Sequence, residues 1–304
     1  MHATDIPAAA DESAVVRAAQ AVVFSSLPEL DAETDLNPAP DLRGIPGAWI
    51  SASRDHVQRN PLTAGVTLYV HGGGFTYSNP AAERVMAHRL SQATRRPAFA
   101  VDYRLAPTHP YPAAINDVVA AYRAILAHGV PASRILLVGE SAGGTLLLSA
   151  LLVLAGADDP LPAGAIPISA VTDFVTEDPA PITANRGSDV IDPTTVAAVG
   201  AGYLGSARRD EAPQSPIYGD LSRMPPLLVI VGGDEILLGD SRRFAEAASA
   251  AGAAVDLDIY EGMPHAFHAG ALLPEDRAPH TATTFLSRLT DWVGRLPDQY
   301  GTPQ

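Results

Sequence analysis

Gly139-Glu140-Ser141-Ala142-Gly143-Gly144 separates two apolar runs of different character. Before it stands Arg134-Ile135-Leu136-Leu137-Val138, a run of the kind that forms a buried parallel strand. After it comes Thr145-Leu146-Leu147-Leu148-Ser149-Ala150-Leu151-Leu152, which reads as a buried helix. A strand that turns sharply into a helix through G-x-S-x-G holds the serine on strained dihedrals and lifts its hydroxyl above the sheet. Gly139, Gly143 and Gly144 let strand and helix approach without Cβ clashes. The helix amino end behind the serine favours developing negative charge. Ser141 is therefore a candidate nucleophile. The same letters also fit an idle serine in a glycine-rich turn, so the remaining parts must discriminate.

Upstream, Tyr69-Val70-His71-Gly72-Gly73-Gly74-Phe75 follows the apolar run 66–70. Acyl transfer builds a negative oxygen in its transition state, and each preorganised N–H donor to it is worth about 3–4 kcal/mol. A glycine-rich loop beside the serine turn offers such donors with no side chains in the way. The backbone N–H groups of Gly73, Gly74 and Ala142 are the expected oxyanion hole. A phosphate loop would need G-x-x-x-x-G-K-[ST], and the chain contains no lysine.

Together with Asp102-Tyr103-Arg104-Leu105-Ala106-Pro107 and His265-Ala266-Phe267, these motifs carry a resemblance. From about residue 65 onward the chain resembles the hormone-sensitive-lipase family of bacterial esterases. The resemblance implies an α/β-hydrolase fold: a mostly parallel central sheet flanked by helices, with a helical cap. It also implies hydrolysis of small carboxylic esters with short to medium acyl chains, and it requires no cofactor or metal. An amidase, an acyltransferase or cyclase, and a non-catalytic binding protein on the same fold are the rival readings.

The chain order in such folds is serine, acid, histidine. Residues 256–260 alternate like a strand, and Glu261-Gly262-Met263-Pro264-His265-Ala266-Phe267-His268 follows as a loop. His265, directly on the loop leaving the strand, is the expected base, and His268 is its competitor. The acid is read from the loop after the strand Leu227-Leu228-Val229-Ile230-Val231. The family's usual D-P-L-x-D is altered there to Gly232-Gly233-Asp234-Glu235-Ile236. Counting forward from the strand and back from His265 puts Glu235 in the acid's place, with Asp234 as the alternative. Either carboxylate could steady an imidazolium. Asp240 reads as an N-cap for a helix from Ser241. Arg104 is expected to be buried and paired with a carboxylate, as scaffold beside the oxyanion loop.

The chain has 304 residues, enough for one elaborated α/β unit with a large core. Its net charge of −14, with all 20 basic residues arginine and scattered, argues against nucleic acid or an anionic membrane as partner. There is no cysteine, hence neither a disulfide framework nor thiol chemistry. Acidic residues stand early, with no basic n-region before an apolar block, so a cytoplasmic location is expected. The longest apolar stretch is too short to span a bilayer. Composition leaves homodimer formation open.

Strands are expected at 47–52, 66–70, 98–101, 135–138, 165–169, 227–231 and 256–260. Helices are expected at 81–94, 112–127, 142–154, 241–251 and 281–295. Such alternation implies a parallel sheet covered on both faces, with the site at the carboxyl ends of the strands. Residues 13–27 carry apolar positions at helical spacing, and 176–205 are rich in Asp, Pro and Gly before turning helical at 194–204. The expected division assigns 45–175 and 206–304 to the catalytic unit, and 1–44 and 176–205 to the cap. Phe75 and Tyr203 are the expected lining residues of the substrate pocket.

Overall fold

The computed structural model describes residues 1–7, 27, 30, 41–52, 65–175 and 189–296. Eight strands form one sheet: β1 (His2–Ile6), β2 (Gly47–Ile50), β3 (Val66–Val70), β4 (Ala98–Val101), β5 (Ile135–Glu140), β6 (Gly164–Ile168), β7 (Leu227–Gly232) and β8 (Val255–Tyr260). Their order is β1-β8-β7-β6-β5-β3-β4-β2, and every neighbouring pair is parallel except β2 with β4. This is the expected α/β-hydrolase architecture. The inner strands bury both faces: β3 and β7 are buried at every position. That explains their continuous apolar runs, since a parallel strand covered by helices on both sides has no wet face.

Six α-helices complete the described layers: α1 (Pro80–Thr94), α2 (Ala113–Ala127), α3 (Ala142–Gly156), α4 (Pro193–Leu204), α5 (Leu238–Ala250) and α6 (His280–Arg295). Helices α1 and α6 share one core with one sheet face through Val85, Met86, Leu90, Phe285, Leu289 and Trp292. Helices α2, α3 and α5 pack on the other face. In α6 the buried residues Ala282, Phe285, Leu289 and Trp292 recur at spacings of three and four, a single apolar stripe. Helix α3 buries almost its whole circumference, because it lies between the sheet and α2. Helix α1 starts where sequence chemistry says it should: Asn79 accepts the Ala82 N–H and Pro80 occupies the first turn.

Three expectations change. Residues 2–6, assigned beforehand to the cap, pair in parallel with β8 from His2 opposite Asp256 to Ile6 opposite Tyr260. This edge strand is mostly exposed and polar, so no apolar run announces it. Asp240 is not an N-cap. It lies inside the first turn of α5, and its carboxylate accepts from the Thr172 N–H at 2.6 Å and the Thr172 hydroxyl at 3.1 Å. Arg104 is half exposed rather than buried; it grips Asp117 through Nε and Nη2, with a shortest contact of 2.8 Å. The amphipathic stretch 13–27 lies outside the described residues apart from Leu27. No helix among the described residues is long and apolar enough to cross a membrane.

Candidate active site

Ser141 sits between the last residue of β5 and the first of α3 with φ 50° and ψ −119°. A non-glycine residue holds such a conformation only when its surroundings enforce it. Here the Ser141 N–H donates to the Ile168 carbonyl on the neighbouring strand at 2.7 Å. Gly143 allows the tight crossing, since a Cβ there would stand 2.0 Å from the Val70 carbonyl oxygen. Ser141 makes no capping bond to its own helix. Its hydroxyl instead meets His265 Nε2 at 3.0 Å.

His265 leaves β8 on the expected loop and is buried. Beyond its ring, Glu235 Oε2 lies 3.7 Å from Nδ1, an ion-pair distance longer than a hydrogen bond. Glu235 is fully buried, and its Oε2 also accepts the Ser169 hydroxyl at 2.8 Å. Burial pulls the His265 ring down, but the Glu235 carboxylate, helped by the charges of Asp189 and Glu140, outweighs burial and raises it above the ordinary 6.5. The alternative acid, Asp234, ties its backbone N–H to the Met263 carbonyl.

His268, the competing histidine, turns its Nε2 to Glu140 Oε2. Tyr69 donates to Glu140 Oε1 at 2.7 Å, and the Gly72 N–H reaches the same oxygen at 3.4 Å. Burial alone would raise the Glu140 carboxyl. His268, first by charge and then by hydrogen bond, together with Tyr69 and the Gly72 N–H, brings it down to about 2. Glu140 thus fastens the glycine loop to the serine turn, a role the variable place in G-x-S-x-G did not reveal.

That glycine loop is shaped by its own backbone. Gly73 has φ +97°, its carbonyl accepts the Thr76 and Tyr77 N–H groups, and a Cβ on it would strike the Tyr77 carbonyl at 2.2 Å. Tyr103 stacks on His71 at 4.2 Å and donates to the His71 carbonyl at 3.0 Å, the scaffold role expected of this segment.

Ser141, His265, Gly73, Gly74 and Ala142 all line one cleft of about 710 Å³. Phe75, at φ 63°, lines it too. Tyr203, expected as a lining residue, does not. It is stacked on Phe75 with centroids 4.0 Å apart, and Phe75 fills the space between it and the cleft. The cleft takes its apolar walls from two groups. Val171, Leu237, Ile191 and Val196 belong to a small cluster joining α4 to the loop after β7; Met86 and Leu272 belong to the α1–α6 layer.

A family model described as alpha/beta hydrolase fold matches residues 67–269. An acetyl-hydrolase of Streptomyces hygroscopicus is 36% identical over 225 residues, 73% of this chain and 75% of that protein. An esterase of Acinetobacter venetianus is 32% identical over 231 residues, 75% of each chain. Among solved structures, an esterase from the bacterial hormone-sensitive lipase family is 34% identical with a TM-score of 0.78, covering 95% of this chain and 99% of that one. The chain belongs to the hormone-sensitive-lipase family of α/β-hydrolases. A hormone-sensitive lipase from a metagenome library is similar at 30% identity and a TM-score of 0.79, covering 95% and 94%. Within this hormone-sensitive-lipase family member, two contributors besides Glu140 escaped sequence reasoning. Ser169 reaches Glu235 only through the fold. Asp189, from the Asp-rich stretch before α4, accepts the His265 N–H at 2.7 Å.

Proposed function

We propose that this carboxylic ester hydrolase is a serine esterase for short- to medium-chain esters, with Ser141, His265 and Glu235 as its catalytic groups. One observation carries the reading. The strained Ser141 hydroxyl lies 3.0 Å from His265 Nε2 at a cleft wall, with the buried Glu235 carboxylate on the ring's far side. His265 Nε2 takes the Ser141 proton as Oγ attacks the ester carbonyl. The N–H groups of Gly73, Gly74 and Ala142 receive the oxyanion. The imidazolium then gives its proton to the leaving alcohol. Water repeats the sequence on the acyl-enzyme, restoring Ser141. The described part of the proposed cap, residues 189–205, lends Ile191, Val196 and Val199 to the cleft wall.

The substrate range tests the reading. Each methylene that finds room gains about 0.8 kcal/mol, roughly fourfold in kcat/KM. Efficiency is expected to climb from acetate to roughly six or eight acyl carbons and then collapse as the tail meets the wall. A series of p-nitrophenyl esters from acetate to palmitate measures this. Efficiency still rising at palmitate, with activation at an oil–water interface, would identify a true lipase and end the short-chain reading.

The pH profile gives a second test. His265 works as a base, so it must be neutral, and its ring is raised above 6.5 in the fold. Activity is therefore present above that raised value and lost as pH falls through it. The acid limb of kcat/KM should show an apparent pKa above 6.5. A limb at or below 6.5 contradicts the ion-pair environment assigned to the ring.

A further inference from the structure

The cap stretch reaches the catalytic groups through one carboxylate. Asp189 Oδ1 accepts the backbone N–H of His265 at 2.7 Å. Its other oxygen, Oδ2, accepts the backbone N–H of Ile236 at 2.8 Å. Ile236 is the residue after Glu235. One side chain therefore spans the loop after β8, which carries the base, and the loop after β7, which carries the acid. These loops lie far apart in sequence, and Asp189 belongs to neither. A second, independent contact docks the same stretch: Ile191 and Val196 pack against Val171, Ile236 and Leu237.

We propose that Asp189 is a positioning residue that sets the spacing of Glu235 and His265 from the cap side. This rests on the triad reading above. Its physical basis is twofold. Charge-assisted hydrogen bonds to a carboxylate are roughly twice as strong as neutral ones, so the two N–H groups are held at a fixed separation. The carboxylate also places negative charge next to a ring that becomes cationic during acyl transfer. Ser141 meets that ring through its hydroxyl, and three carboxylates surround it: Glu235 from the loop after β7, Glu140 from the end of β5, and Asp189. Asp189 is the one whose oxygens also hold the backbone on both sides of the Glu235–His265 contact. Displacements of about 1 Å in a catalytic group cost about a hundredfold in rate, so a loosened clasp should be read in turnover.

The test is Asp189→Asn in the full-length protein, assayed on p-nitrophenyl butyrate. Asparagine keeps the shape, loses the charge, and turns an N–H₂ towards one of the two donors. The expected result is a kcat lower by about 10- to 100-fold with KM within about threefold. The acid limb of kcat/KM should move to lower pH, since a raising charge has gone from His265. Asp192→Ala is the control. Asp192 caps α4 by accepting the Thr195 N–H at 2.9 Å, and its hydrogen bonds among the described residues stay within that helix. It should lower Tm by roughly 2 °C and leave both kcat and the acid limb in place. Should Asp189→Asn fail to accumulate as folded protein, Asp189→Ser is measured in the same way. A kcat within twofold of wild type, or an acid limb that does not move, overturns the clasp. Glu235→Gln, run in parallel, separates the two ideas. If it is inactive while Asp189→Asn is normal, the clasp alone fails; if it is fully active, the triad reading fails first.

Discussion

Ser141→Ala is expected to lower kcat for p-nitrophenyl butyrate by about 10⁵- to 10⁶-fold while leaving Tm within a few degrees. The expected size follows from how such groups work: nucleophile and base act as a unit, so removing either removes nearly all covalent catalysis. The fold should tolerate the change. The serine hydroxyl does not cap its own helix, and among the described residues it bonds to His265 Nε2. The strained backbone is held by the Ser141 N–H to Ile168, which alanine retains. Turnover together with a circular-dichroism melt decides the matter. More than about a tenth of wild-type activity in the folded variant would remove Ser141 from the role of nucleophile.

The second large effect concerns the acid. Glu235→Gln is expected to cost about 10³- to 10⁴-fold in kcat, and Asp234→Ala less than about tenfold. Glu235 is fully buried with Oε2 facing His265 Nδ1 and holding the Ser169 hydroxyl. A glutamine amide keeps the volume but offers no charge to the imidazolium, so the loss falls on the chemical step. Using glutamine rather than alanine also avoids opening a cavity beside the ring. Asp234 is only partly buried, and its N–H to Met263 survives truncation of the side chain. If Asp234→Ala proves the more damaging of the two, the acid has been assigned one residue too late.

What could be read from the chain and what could not divides along physical lines. The inner strands were legible because parallel strands covered on both faces are buried and mostly apolar, as β3, β7 and β5 up to its last residue are. That Ser141 and the glycines come together at one cleft was legible because a sharp strand-to-helix turn and a close backbone approach need glycine, and His265 was reached through its place on the loop after the last strand. Counting along short loops also placed Glu235 on the far side of the His265 ring, where it stands. The edge strand β1 was illegible because two strand neighbours are not needed at a sheet edge, and polar residues suffice there. Asp189 gave no local sign of this role: besides the N–H of its neighbour Val190, its partners are backbone N–H groups 47 and 76 residues away. Tyr203 was assigned to the cleft because aromatic residues on a cap helix suit that place. Residue spacing could not show that Phe75 would be thrust between them by its positive φ. Asp240 failed for a related reason. A carboxylate before a helical pattern looks like a cap, yet this one is claimed by Thr172 from another strand's loop.

The stack of Phe75 on Tyr203 has a practical consequence for anyone reshaping the enzyme's selectivity. Phe75 directly follows the glycines proposed as oxyanion donors, while Tyr203 stands near the end of α4. Val199, on the same helix, would lie 3.2 Å from a Cβ on Gly74. Any library that varies the α4 wall therefore also presses on the donor loop, and gains in scope there will come coupled to losses in turnover. Met86 and Leu272 border the same cleft but are rooted in the opposite helical layer. Variation at those two positions can redraw the wall while leaving the donors in place.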